Sequence, residues 1–152
     1  MATEIERKFL VHGTPWMGIE GRHLAQGYLR GGDGTTVRVR HDGSTGKLTV
    51  KGPSTGASRP EFEYTIPLPD AKELLSLCDH GVLSKTRYVI AHEGHTWELD
   101  VFEQANRGLV VAEIELDHED ETFVRPPWLG AEVTHDARYF NAQLAVSPFT
   151  TW

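Results

Sequence analysis

Short stretches in which apolar and charged residues alternate one by one run through most of the chain. Period-2 alternation gives a β-strand two unlike faces. The first case is EIERKFL, residues 4–10, with Glu4, Glu6, Lys8 and Leu10 on one parity and Ile5 and Phe9 on the other. TVRVRH sets Arg38 and Arg40 against Val37 and Val39, and LTVKG sets Lys51 against Leu48 and Val50. EFEYTI sets Glu61 and Glu63 against Phe62, Tyr64 and Ile66; SKTRYVI sets Lys85 and Arg87 against Tyr88 and Ile90. WELDVF and AEIELD do the same with Glu98 and Asp100, and with Glu113 and Glu115. Strands are predicted near residues 3–9, 24–30, 36–41, 47–52, 61–67, 85–92, 95–102 and 109–117.

Turn chemistry separates them. RGGDGTT divides the second strand from the third, HDGSTGK the third from the fourth, and HEGH makes a tight hairpin of the sixth and seventh. GPSTGASRP reads as a longer, mobile loop, and TPWMGIEG as a short helical turn. PDAKELLSLCDHG predicts a helix with Asp70 near its start and Gly81 ending it; THDARYFNAQLAV predicts a second, capped by Thr134 or Asp136. Short strands at regular spacing suggest an antiparallel sandwich or barrel.

The chain has 152 residues, read as one domain over 1–152. A net charge of −7 argues against a general nucleic-acid binder. The lone Cys78 forms no internal disulfide and reads as a buried structural thiol. No signal peptide, long apolar run or lipidation motif stands out, so the expectation is a cytoplasmic protein with no membrane partner. The eight histidines are scattered without ligand spacing. GGDGTT lacks the Gly-Lys-Ser/Thr ending of a P-loop.

Two arrangements satisfy the alternation. The charged faces coat a sandwich with an apolar core, or the sheet closes into a barrel whose lumen is charged and whose apolar faces point outward under helices and loops. The recurrence favours the second. The charges come as like-sign neighbours two residues apart, mildly repulsive and pointless on a surface. They make sense if ligands neutralise them. Clustered carboxylates without Cys or paired His suit hard divalent cations, and clustered Lys and Arg suit phosphate oxygens. Both clusters in one lumen describe a metal–polyphosphate site.

The Glu-x-Glu-x-Lys of Glu4, Glu6 and Lys8 resembles the signature of the CYTH proteins, also called triphosphate tunnel metalloenzymes. VRVR, TVKGPSTGASRPEFEYTIP, SKTRY, WELDVF, VAEIEL and VTHDARYFNAQLA resemble the family's later segments in order, along nearly the whole chain. The resemblance implies a mainly β fold: an eight-stranded antiparallel closed barrel with flanking helices and a C-terminal plug helix. It implies a small-molecule polyphosphate substrate and one or two Mg²⁺ or Mn²⁺ ions. A chain of this length is similar to the inorganic triphosphatases, which would cleave tripolyphosphate to pyrophosphate and phosphate. A class IV-type adenylyl cyclase, a thiamine or nucleoside triphosphatase, and a non-catalytic polyphosphate-binding module stay open, as does a homodimer.

Phosphoryl transfer needs charge neutralisation and positioning more than covalent chemistry. Lys8, Arg38, Arg40, Lys51, Lys85 and Arg87 are assigned to the phosphates, with Arg59 either a further ligand or a loop anchor. Glu4, Glu6, Glu61, Glu63, Asp100, Glu113 and Glu115 are the metal candidates, with Glu4, Glu6 and Glu115 favoured and Glu63 for a second ion. The remaining carboxylates would pair with the bases; Glu98 is the least suited to metal. Lys8, Tyr28 and Lys85 are the catalytic candidates, Tyr28 by tuning Lys8 or aligning water. Most aromatics fall on the outward parity, which leaves no base-stacking platform and points to tripolyphosphate.

Overall fold

The computed structural model describes residues 3–30 and 34–152. Its strands in chain order are β1 (Thr3–Val11), β2 (Arg22–Arg30), β3 (Thr36–His41), β4 (Gly46–Lys51), β5 (Ser58–Ile66), β6 (Leu83–His92), β7 (His95–Phe102), β8 (Val110–Glu115) and β9 (Leu129–Glu132). The helices are α1 (Leu68–Leu75) and α2 (Asn141–Val146). All pairings are antiparallel, in the order β5-β4-β3-β2-β6-β7-β8-β1. A further pairing of β1 with β5, Glu4 opposite Arg59, closes these eight strands into a barrel.

β1 serves two neighbours on that side. Its first residues pair with β5, while Phe9 and Val11 pair with β9, a short strand that the pattern does not predict. β5 begins at Ser58, three residues before the predicted start, because Ser58–Pro60 form the closing seam with β1. β2 likewise begins two residues early.

The apolar parities do face outward. Phe9, Trp97, Leu99, Ala112 and Ile114 form one buried cluster on the outside of β1, β7 and β8, under Trp16, Phe123 and Trp128. Each Leu, Ile or Phe among them taken out of water contributes about 1.5–3 kcal/mol. Val39 packs under α1 against Ala71 and Leu75. A third cluster, Leu83, Phe102, Leu109, Val111 and Leu144, brings α2 against one end of the barrel.

Turns and helices follow local chemistry. The β6–β7 hairpin turns on Glu93 (φ 47°) and Gly94 (φ 81°), both left-handed as a two-residue I′ turn requires. In the β3–β4 turn Asp42 Oδ1 accepts hydrogen bonds from the Ser44 and Thr45 amides at 2.9 and 2.7 Å. Residues 14–19 make overlapping turns, not a helix. The RGGDGTT turn lies partly outside the described residues. α1 stops at Leu75, six residues before Gly81. The predicted C-terminal helix is broken: Asp136 accepts from the Arg138 amide and caps a 3-10 turn over Ala137–Tyr139, Phe140 is extended, and α2 follows. Thr134 caps nothing; its Oγ1 accepts the Lys8 amide at 3.0 Å. Among the described residues no helix is long and apolar enough to cross a membrane.

Candidate active site

The inward parities of the strands enclose a cavity of about 350 Å³. β1 contributes Glu4, Glu6 and Lys8, β2 Tyr28, β3 Arg38, β4 Thr49 and Lys51, β5 Arg59, β6 Lys85 and Arg87, and β8 Glu113. Pro53, Ser54, Gly56 and Ala57 of loop 52–57 wall one side, and Thr134, Ala137 and residues 140–143 line the cavity from the C-terminal segment. That loop, read as mobile, is tied down: the Glu6 amide donates to Ala57 O at 3.2 Å, and Glu119 Oε1 accepts the Ala57 amide at 2.7 Å.

The basic side is neutralised from within. Asp100, fully buried, accepts Lys85 Nζ at 2.8 Å and takes Arg87 bidentately at 2.8 and 2.9 Å. Burial opposes its charge, but the two cations prevail and hold Asp100 well below the usual carboxylate range. Arg87 also reaches Glu98 at 3.3 Å. Burial, with Arg87 and Arg40 nearby, pulls Lys85 down to about 8, and Asp100 opposes that fall, so Lys85 stays charged at neutral pH. Lys85 Nζ also donates to Asn141 Oδ1 of α2 at 3.0 Å, an atom that also accepts from Gln26 at 3.3 Å.

The acidic side is crowded instead. Burial, reinforced by Glu113 and Glu4, pushes Glu6 well above the carboxylate range. Glu6 and Glu113 lie close enough to interact directly, which raises Glu6 and lowers Glu113. Burial would raise Glu113 too, but Lys8, 4.0 Å away, and the contact with Glu6 hold it at about 2. Burial and Glu61 raise Glu4, although Lys51 Nζ lies 2.8 and 3.0 Å from its oxygens. Lys51, also 3.4 Å from Glu61, is held up by Glu6 and Glu4 against its burial.

The sequence candidates thus separate. Glu4, Glu6, Lys8, Tyr28, Arg38, Lys51, Arg59, Lys85, Arg87 and Glu113 share the cavity wall. Asp100 lies behind it as counter-ion to Lys85 and Arg87. Glu61 touches Lys51; Glu63 is exposed and lies 3.7 Å from Arg38 and 4.0 Å from Lys47. Glu115 is exposed at the end of β8, its carboxyl raised by partial burial and by Glu4. Arg59 donates to Gly52 O at 3.0 Å, which anchors the loop. Arg40 opens into a second cavity.

Several wall residues carried no charge signal. Thr49 is buried, accepts from Arg38 at 3.1 Å and donates to Glu63 at 3.2 Å; its parity with Lys51 could have marked it. Asn141, Thr134 and Phe140, whose ring lies 5.5 Å from Lys8 Nζ, depend on how the C-terminal segment folds back, which no local pattern shows.

Among the described residues no three carboxylate, imidazole or thiol groups converge as a finished metal site. The donor set still fits a hard cation. Glu4, Glu6 and Glu113 bring oxygen ligands together at a cost in mutual repulsion that a divalent ion would relieve, with substrate oxygens and water completing its shell.

A closed antiparallel barrel with a lumen of facing acid and base clusters is the architecture of one family, and the chain belongs to it: residues 2–145 match the CYTH domain. Membership implies a metal-dependent enzyme. Over 98% of its length the chain is 47% identical to an inorganic triphosphatase of Acetivibrio thermocellus, covering 97% of that protein. It is 39% identical to an inorganic triphosphatase of Nitrosomonas europaea, over 95% of this chain and 98% of that one. The crystal structure of an inorganic triphosphatase superposes with a TM-score of 0.69 at 37% identity, covering 96% of each chain.

Proposed function

We propose that this chain is a metal-dependent hydrolase that cleaves a phosphoanhydride bond of inorganic tripolyphosphate, giving pyrophosphate and phosphate. One observation carries the reading: carboxylates Glu4, Glu6 and Glu113, with Lys8 beside them, share a single cavity of about 350 Å³ with Arg38, Lys85 and Arg87. The names of its relatives support it.

Arg38 and Arg87 grip phosphate oxygens with fixed forks, and Lys85 and Lys51 add point charges. Asp100 keeps Lys85 and Arg87 straight before substrate arrives, so little reorganisation is left to the reaction. Glu4 and Glu6, with Glu113, would hold Mg²⁺ or Mn²⁺, the Glu4 oxygens being shared with or released by Lys51. Glu63, Glu61 and Glu115 are left for a second ion or for pairing with bases. The bound ion supplies charge neutralisation at the phosphate oxygens and a more acidic water. Lys8, between Glu113 and the Tyr139 carbonyl, and Tyr28 position the attacking water against the scissile phosphorus.

The mouth favours a substrate with nothing attached to the triphosphate. Phe140, Asn141 and Gln143 cover it, and Asn141 is tied to both Lys85 and Gln26. Phosphate release from tripolyphosphate, ATP and thiamine triphosphate, with Mg²⁺ or Mn²⁺ and with EDTA, tests the proposal. Tripolyphosphate is expected to turn over fastest and EDTA to stop it. Cyclic AMP as the main product from ATP would place the chain with the cyclases, and no turnover would leave a binding module.

A further inference from the structure

Beyond the substrate cavity, the lumen ends in a second cavity of about 260 Å³. It lies at the other ends of the same strands. On β2, Tyr28 lines the first cavity and Arg22 and Leu24 the second; on β3, Arg38 the first and Arg40 the second; on β4, Lys51 the first and Lys47 the second. At about 3.3 Å per strand residue, Arg40 stands roughly 7 Å beyond Arg38, Lys47 about 13 Å beyond Lys51, and Arg22 about 20 Å beyond Tyr28.

Its lining is basic. Arg22, Arg40 and Lys47 face a single carboxylate, Asp42, which lies 3.8 Å from Arg22. Burial and Lys72 lower His41, which adds no charge at neutral pH. Lys47 is spoken for in part, by Thr65 at 3.0 Å and Glu63 at 4.0 Å. Arg40 is not: among the described residues it donates no hydrogen bond and makes no ion pair, although it is half-buried. Burial, with Arg38 and Arg87 behind it, lowers Arg40 to about 10. With no acceptor engaged among the described residues, its guanidinium donors are open to the cavity. Its like-charge neighbours rule out a cation, and the planar fork fits a phosphate.

We infer that the Arg22–Arg40–Lys47 cavity is a second phosphate subsite at the far mouth of the lumen. Two sources share that chemistry. A free orthophosphate enters from solvent, or the end of a linear polyphosphate longer than three units reaches through from the first cavity. The second source rests on the polyphosphate reading of the first cavity; the first does not.

The test uses metal-free full-length protein and the double variant Arg22→Ala/Lys47→Ala, which leaves every residue assigned to the tripolyphosphate untouched. Orthophosphate, tripolyphosphate and a longer linear polyphosphate are titrated separately. Affinities come from calorimetry, and backbone amide shifts of Gly43, Ser44 and Thr45 report the β3–β4 turn. If orthophosphate is the occupant, it moves those amides in the wild type and not in the variant. If a threaded chain is the occupant, only the longer polyphosphate moves them, and the variant loses about five- to tenfold of its affinity, the loss expected from two partly screened charge contacts. In either case tripolyphosphate binding stays within about twofold, within the contribution of one weak surface pair. Silent turn amides with unchanged affinities, the behaviour of a mouth holding only water, would overturn the inference. So would an equal loss for tripolyphosphate and the longer chain, which would merge the two cavities into one site. Failure of the wild type to hydrolyse tripolyphosphate with metal would defeat the proposed function while leaving these metal-free readings to stand.

Discussion

Two carboxylate groups of the same lumen behave in opposite ways. Asp100 sits between Lys85 and Arg87 with both oxygens occupied and is held well below the carboxylate range. Glu6, half-buried, faces Glu4 and Glu113 and is pushed well above it. Burial is common to both and raises both; only the neighbours differ. The Asp100 cluster is complete as folded, an internal brace. In the Glu4–Glu6–Glu113 cluster Lys51 pairs with Glu4 and Lys8 approaches Glu113, while Glu6 is left against carboxylates. The lumen is thus neutralised around Asp100 and left with an opposed carboxyl at Glu6.

The largest expected effect breaks the brace. Asp100→Asn keeps the shape but leaves Lys85 and Arg87 buried without their counter-charge, and the apo protein is expected to lose about 3–5 kcal/mol in chemical unfolding. A loss below about 1 kcal/mol, that of a surface pair, would make the brace dispensable. The matching change on the other side has the opposite sign in stability. Glu6→Gln removes a repelled carboxyl, so the apo protein is expected to be as stable as the wild type or more so. Its turnover is expected to fall about 10²–10³-fold, comparable with removing one electrostatic group at the reacting centre, with partial rescue by excess metal. Arg38→Ala sharpens the contrast: kcat/KM is expected to fall about ten- to a hundredfold, the value of a charge-assisted hydrogen bond, with no rescue by metal.

The smallest effect is in pH dependence. A carboxyl raised in the fold binds protons more readily folded than unfolded, so Glu6 and Glu4 destabilise the apo protein at neutral pH. That penalty is relieved as pH falls through their folded values toward 4.5. Glu113 and Asp100, depressed in the fold, contribute stability above 4.5 and 3.8 that is lost as pH falls further, for Glu113 toward about 2. Apo stability is therefore expected to rise gently from neutral pH toward the unfolded carboxylate values, then drop. Glu6→Gln should flatten the rise and leave the drop, as equilibrium unfolding across pH would read.

What the sequence disclosed follows from which forces are local. The eight barrel strands and their inward parity were legible because period-2 alternation is fixed by the pleat, and like-sign pairs such as Glu4/Glu6 and Arg38/Arg40 made no sense facing water. β9 was not legible: LGAE is four residues long without alternation, and it forms because β1 runs past the barrel seam and offers an edge. The helix over 134–146 was read as continuous because nothing local shows that Thr134 will bond β1, or that Phe140 will extend and turn Asn141 into the lumen. Likewise the sequence shows that Arg38 and Arg40 share a face, but only the closed barrel shows that they open into different cavities.

A lumen of this kind should bind a divalent cation at its acidic cluster together with polyphosphate. Free Mn²⁺, followed by its paramagnetic resonance signal during titration into protein with tripolyphosphate, tests it most directly when wild type and Glu6→Gln are compared at matched folded concentration. The account predicts saturable Mn²⁺ uptake by the wild type, and uptake weakened at least about tenfold in a fully folded Glu6→Gln, the loss of one charged ligand contact. Equal uptake by both proteins, or a Glu6→Gln chain that no longer folds, would contradict it.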